Sequence, residues 1–228
     1  MNTPVLVLAS NSPRRRELLR LGGWVFLSQP ADVDESQQPG EAPGMYVLRL
    51  AESKARACAE SVHVAQIPLW GTVILAADTA VVDEKTILGK PKDRSEAVEM
   101  LRGLRRHTHQ VHTGIVLLRP SDERLVTDLC VTDVPMRAYR DDEIEAYVAT
   151  GDPFDKAGAY GIQNRGFHPV EVLSGCYASV MGLPLCHLTR SLRKLDIAPR
   201  TDITAECQSA LSYACPISSA VLDGEMVG

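Results

Sequence analysis

Apolar residues fall along the chain in two rhythms, short continuous runs and helically spaced stripes, and their order predicts the architecture. The run over residues 5–9 follows Pro4 and reads as a buried strand. Ser12 then supplies a helix N-cap and Pro13 a favoured first helical residue, with Leu18 and Leu19 continuing on a helical spacing. Residues 24–28 read as a second short strand and 29–43 as a polar loop, while Val47, Ala51, Ala55 and Cys58 mark one face of a helix over 44–60. Residues 72–83 are strongly strand-like, and a short helix over 94–104 is opened by Asp93 or Ser95. Two β-rich runs, 109–118 and 125–136, joined by a polar turn, predict an antiparallel hairpin. A helix over 141–149, a glycine-rich loop over 152–164, a strand over 170–173 and a helix from Pro184 to near Leu195 follow. Interleaved helices and strands with one hairpin imply an α/β fold on a mixed sheet. Residues 1–196 read as the folded domain. Residues 197–228, rich in Ser and Ala with four acidic residues against Arg200, predict a poorly ordered tail.

One helix start is charged the wrong way. Arg14 and Arg15 fall in the first turn after Pro13, where the helix dipole favours anions and disfavours cations. An anion docked on the free N–H groups, with the arginines closing round it, resolves the conflict. A solvated basic face is the competing reading. The strand, the Ser/Asn turn, the capped helix and the adjacent arginines together favour a phosphate site.

A second anomaly is Asp78, a carboxylate inside an apolar strand, which is costly unless a partner compensates it. That partner could be a metal ion, a lysine or a substrate water. Burial would raise the pKa and a nearby cation would lower it, and both are ways to tune a general base; otherwise the strand ends near Ala77 and Asp78 caps a loop. Val81 and Val82 continue the β pattern and favour the functional reading. Lys90, in the turn Leu88-Gly89-Lys90-Pro91, can return towards Asp78 if the strand reverses there, although lysines in turns are usually solvated. Lys54, on the polar side of the 44–60 helix, is a weaker signal. In the loop, Gly158 and Gly161 would let the backbone approach a ligand, and Gln163 carries the donor and acceptor needed to read a base edge. A simple turn explains the glycines equally well.

Composition narrows the partners. The 228 residues are 45% hydrophobic, enough to bury a core as one domain or two joined lobes. With 24 basic against 29 acidic residues, the net charge of −5 argues against non-specific binding to nucleic acid or membranes. No apolar stretch reaches the length of a membrane span, and no signal segment precedes the first strand, so the expected location is cytoplasmic. The six cysteines match no zinc spacing and are expected to be buried small hydrophobes. His107 and His109 would share a strand face opposite His112, a poor geometry for one metal. Neither a GxSxG elbow nor a Walker run is present.

Taken together, the chain resembles the Maf family of nucleoside triphosphate pyrophosphatases. The resemblance is carried by residues 8–15 with Glu17-Leu18-Leu19, by Ala77-Asp78-Thr79 and by Leu88-Gly89-Lys90-Pro91. Residues 109–114, 155–163 and 181–185 extend it in the right order as far as about residue 195. It implies a mixed, elongated sheet with a cleft between two lobes, and release of pyrophosphate from a nucleoside triphosphate as a house-cleaning activity. The DKAGAYGIQ loop resembles the dTTP/UTP branch, whose pocket would equally admit modified pyrimidine nucleotides. By that resemblance Asp78 is the proton acceptor, and Arg14, Thr79 and Gln163 set specificity. Ser10, Arg15, Lys54 and Lys90 line the triphosphate cleft, with Lys90 assisting catalysis. Asp34 or Glu35 lies where the family places an acidic, metal-linked residue, so that Asp78, Asp34 and Glu35 are the candidate ligands of Mg²⁺ or Mn²⁺. The resemblance is also compatible with a homodimer. The alternative reading is a nucleotide-sensing regulator of cell division that binds without hydrolysis.

Overall fold

Three long strands form the backbone of the fold, and their side-chain alternation divides the core between two faces. The computed structural model describes residues 5–64 and 71–228. Residues 1–4, with Pro4 and whatever precedes the first strand, lie outside the described residues, as do 65–70. The described elements are β1 (Val5–Leu8), α1 (Pro13–Leu21), β2 (Phe26–Ser28), α2 (Pro43–Val64), β3 (Thr72–Asp83), β4 (Thr86–Leu88), α3 (Arg94–Leu104), β5 (Thr108–Arg119), β6 (Arg124–Pro135) and α4 (Asp141–Ala149), then α5 (Tyr177–Val180), α6 (Leu185–Arg193), α7 (Ile203–Leu211) and α8 (Ser218–Leu222). The sheet runs β2-β1-β3-β5-β6, parallel across β2-β1-β3 and antiparallel across β3-β5-β6, so the mixed α/β expectation holds.

Alternation along β3 sets the layers. Leu75 and Ala77 face α1 and α6, packing with Leu18, Leu19, Leu188 and Leu192. Val81, further along the same face, packs instead with Leu101 of α3 and Ile144 and Tyr147 of α4. Ile74 and Ala76 point the other way, against Ala51, Ala55 and Cys58 of α2. The long strands thus carry two apolar cores on one face with a break between them.

That break coincides with a gap in strand pairing. On one side of β3, β1 pairs as far as Leu75 and β4 begins at Val81. Residues 76–80 lie between the two partners, paired to β5 on their other side. Side chains from both faces of β3 can reach the opening there, and Asp78 and Thr79 are its central residues.

Two local expectations change. The predicted strand over 170–173 reduces to a single bridge, Val170 to Met136; Val170 and Leu173 pack with the α3–α4 core, while Val172 is exposed. The glycine-rich stretch holds two short 3₁₀ turns, Asp152–Asp155 and Ala157–Ala159.

The segment after residue 196 differs most from its sequence reading. It is not a poorly ordered tail: it forms α7 and α8, and Ile203 and Val221 are buried. Trp24 donates to the Ala198 carbonyl, Arg200 N–H to Gly22, and the Thr201 hydroxyl to Leu21, tying the segment to the end of α1. The Tyr213 hydroxyl reaches the carbonyls of Leu173 and Gly175 at 3.1 and 2.8 Å. Further on, His187 contacts the Val227 carbonyl, and Gly228 lies so close to Val131 that a Cβ would stand 2.5 Å from its nitrogen. The Ser, Ala and acidic residues of the segment hid this, because a few well-placed side chains and backbone bonds hold it. Ile203→Val is expected to lower stability by about 0.5–1.5 kcal/mol in urea denaturation, whereas an unfolded tail would show no change.

Candidate active site

The site is built from the N-terminus of α1 outward. Ser12 caps the helix, its hydroxyl accepting from Arg15 N–H, and Pro13 occupies the first turn as expected. Ser10, buried just after β1, accepts through Oγ from the Ser12 N–H at 3.2 Å and from Arg15 at 3.4 Å. Three arginines follow, and only two face inward. Arg16 donates to the Asn11 carbonyl, outside the site.

Arg15 is a brace as much as a ligand. Its Nε donates to the Gly182 carbonyl at 2.9 Å and its terminal nitrogens to Ser10 Oγ and, at 3.2 Å, Thr79 Oγ1. Burial lowers the guanidinium pKa, Asp78 opposes that shift and Arg14 adds to it. Gly182 can serve here because its φ is +104° and a Cβ would crowd Thr79 Oγ1 at 3.2 Å. Arg14 instead spans the mouth of the cleft to Asp155 at 3.1 Å.

Asp78, 7% exposed, has the lysine partner that its burial calls for. Lys54 Nζ lies 2.6 Å from Asp78 Oδ1 and 2.6 Å from Glu35 Oε1, so one ammonium bridges two carboxylates. The even positions of β3 face α2, which is why a residue of the helix that looked weak alone becomes the partner. Burial pushes the Glu35 carboxyl up, but Lys54, with Lys90 and Arg15 beyond it, brings its pKa below the ordinary value.

These residues line one cleft of about 560 Å³, together with Lys90 and Gln163. The β3–β4 reversal does return Lys90 to the cleft, exposed and without an ion-pair partner among the described residues. Gly158 N–H donates to the Gly89 carbonyl and so ties the glycine loop to the Lys90 turn. Gly158 sits at φ +69°, and its Cβ would meet Val81 at 2.9 Å. Asp34 stays out: it turns to the Ser36 N–H in the exposed loop, and Asp32 lines the cleft instead.

Several supporting residues are given no role by the sequence. Lys156 is buried, and its Nζ bonds Asp152 and Asp155, which holds the loop from beneath. His109 is buried against the Tyr160 hydroxyl at 2.8 Å, and burial pushes its pKa down to about 4. His107 contacts Asp83 and His112 contacts Gln110, so the three histidines go to three different places. Thr113 Oγ1 lies 3.0 Å from Thr79 Oγ1, directly across the β3–β5 pair. The pairing of the two threonines is visible only once the strands are in register.

A cleft of cations, paired carboxylates and a capped helix terminus suits a polyphosphate and its hydrolysis. The curated relatives of similar sequence point the same way. The chain is 45% identical over 193 residues to a dTTP/UTP pyrophosphatase of Geobacter sp. (strain M21), covering 85% of this chain and 96% of that one. It is 43% identical over 198 residues to a protein of the same name from Methylobacillus flagellatus, covering 87% and 96%. With that of Anaeromyxobacter dehalogenans it shares 46% identity over 193 residues, covering 84% and 94%. Among solved structures, the Staphylococcus aureus Ham1 protein overlaps 91% of this chain and 98% of its own, at 15% identity and a TM-score of 0.43. Residues 5–195 match the description Maf-like protein, and the chain belongs to the Maf family.

Proposed function

We propose that this chain hydrolyses nucleoside triphosphates, dTTP and UTP foremost, to the monophosphate and pyrophosphate. The observation that carries the reading is the Lys54-bridged pair of Asp78 and Glu35 facing Arg14, Arg15 and Lys90 in one cleft. Relatives named dTTP/UTP pyrophosphatase over most of their length support the substrate class.

In this reading the triphosphate lies along the N-terminus of α1, where Ser10, Arg15 and the free N–H groups meet its oxygens. Arg14 leaves Asp155 for the phosphates, an exchange of one anion for another at the cleft mouth. Asp78 orients a water against the α-phosphorus and takes its proton as the new P–O bond forms. The bond to the bridging oxygen breaks, and pyrophosphate leaves with its charge met by Lys90 and Lys54. Gln163 and Thr79 contact the nucleoside.

The same carboxylates fit a divalent ion. Asp78 and Glu35 are hard oxygen donors that already converge on one cation, the Lys54 ammonium, as donors to Mg²⁺ or Mn²⁺ must. Bound there, the ion would neutralise phosphate charge. Asp34 is not among these donors. No described helix is long and apolar enough to cross a membrane, and the proposed reaction belongs to the cytoplasmic nucleotide pool.

The test is pyrophosphate release by the purified chain with Mg²⁺ or Mn²⁺ against a panel of nucleoside triphosphates. Release from dTTP and UTP, not from GTP, and abolished by a chelator, is the expected pattern. Tight nucleotide binding with no release from any substrate would replace hydrolysis by nucleotide sensing.

A further inference from the structure

Proton bookkeeping behind the cleft assigns a direction to Thr79. The hydroxyl of Thr113 carries a single proton. Its Oγ1 lies 2.9 Å from the Ser179 carbonyl oxygen, which can only accept, so the proton is committed there. The 3.0 Å contact between the two threonine hydroxyls must then be donated by Thr79. Thr79 also accepts from Arg15 at 3.2 Å, which occupies one lone pair of its oxygen. What remains for the cleft is a lone pair and no proton.

We infer that Thr113, fully buried and opposite Thr79 on β5, is a positioning residue that makes Thr79 an obligate hydrogen-bond acceptor towards the substrate. The inference rests on the proposed function and deepens it. A base with an imide N–H, as in uracil and thymine, satisfies Thr79; cytosine presents a lone pair at the same ring nitrogen and opposes it. Discrimination between UTP and CTP is therefore written in a residue that never touches the nucleotide. Phosphate oxygens, which are acceptors, are excluded as partners of Thr79 by the same argument.

Thr113→Val keeps the shape of the side chain and removes the hydroxyl. The Ser179 carbonyl retains a bond from the Gly182 N–H at 2.8 Å, so the loop keeps an anchor. Thr79 loses its acceptor, and its proton becomes free to turn to the cleft.

The experiment compares kcat/KM for UTP and CTP in the wild-type chain, Thr113→Val and Thr113→Ser, with melting temperatures measured alongside. The expected result is a fall of about tenfold in the UTP-over-CTP preference of Thr113→Val, the worth of roughly one hydrogen bond, arising from a gain on CTP. Thr113→Ser, which restores the hydroxyl, should keep the wild-type preference. An unchanged preference in a folded Thr113→Val overturns the inference. Wild-type turnover of 3-methyl-UTP, which lacks the imide proton, needs no variant to fold: a rate equal to that with UTP overturns it too. If a dideoxynucleotide is rejected while CTP is accepted, Thr79 reads a sugar hydroxyl and the inference falls. Absence of pyrophosphate release from both UTP and dTTP would instead bring down the functional reading, and this inference with it.

Discussion

Replacing Asp78 by Asn is expected to lower kcat for pyrophosphate release by about 10²–10⁴-fold, the usual worth of a positioned general base. The amide keeps the size of the carboxylate and can still accept from Lys54, whose second carboxylate, Glu35, stays in place. The variant therefore has little reason to unfold. Removing one negative charge from a cleft lined by Arg14, Arg15, Lys54 and Lys90 also leaves the attraction for a triphosphate intact or stronger. The predicted signature is a collapse of kcat with KM for UTP unchanged or lowered, read from steady-state kinetics. A kcat within a few-fold of wild type would remove Asp78 from the role of base.

The largest effect on stability is expected far from the cleft, at Asp128. This β6 carboxylate is buried and meets Arg190 of α6 through two 2.7 Å bonds, with the Ser191 hydroxyl at 3.0 Å and the Leu129 N–H at 2.9 Å. Burial pushes its pKa up, but the Arg190 bond and the nearby His187 and Ser191 prevail, and the net direction is down. A carboxyl held below its unfolded value stabilises the fold above that value and loses the contribution as pH falls through the folded one. Asp128→Ala leaves the largely covered Arg190 guanidinium without a carboxylate, only the Glu225 carbonyl and the Met226 sulfur remaining beside it, at a cost of about 3 kcal/mol, measurable as a lower urea midpoint. The double variant Asp128→Ala with Arg190→Met should recover part of the loss, because no uncompensated charge remains. A single variant as stable as wild type would contradict this account.

Local chemistry made much of the fold legible. Apolar runs on either side of Asp78 and Thr79 marked β3 at its observed bounds, Ser12 and Pro13 marked the start of α1, and Asp93 caps α3 through the Glu96 N–H. Each of these signals is carried by neighbours in the chain. Asp78 stood out for the same reason, since its apolar flanks are adjacent to it. The rest depended on residues brought together from afar. Lys54 gained meaning only when α2 crossed the even face of β3, and Thr113 only when β5 was set in register. Asp32 and Asp34 are indistinguishable in a polar loop until its path turns one inward and the other out. In the last segment, Ser, Ala and acidic residues suggested disorder, yet residues 198–201 are fastened to the end of α1 by bonds that no composition records.

One of those late contacts bears on how the molecule behaves in a crowd. β6 ends the sheet order, so among the described residues one flank of its backbone has no strand beside it. An unpaired strand flank is a template on which another chain can add itself. Residues 225–228 lie over that flank: Arg190 holds the Glu225 carbonyl, His187 holds that of Val227, and Gly228 presses on the Val131 backbone. The segment thus covers this part of the flank and leaves less room there for an added strand.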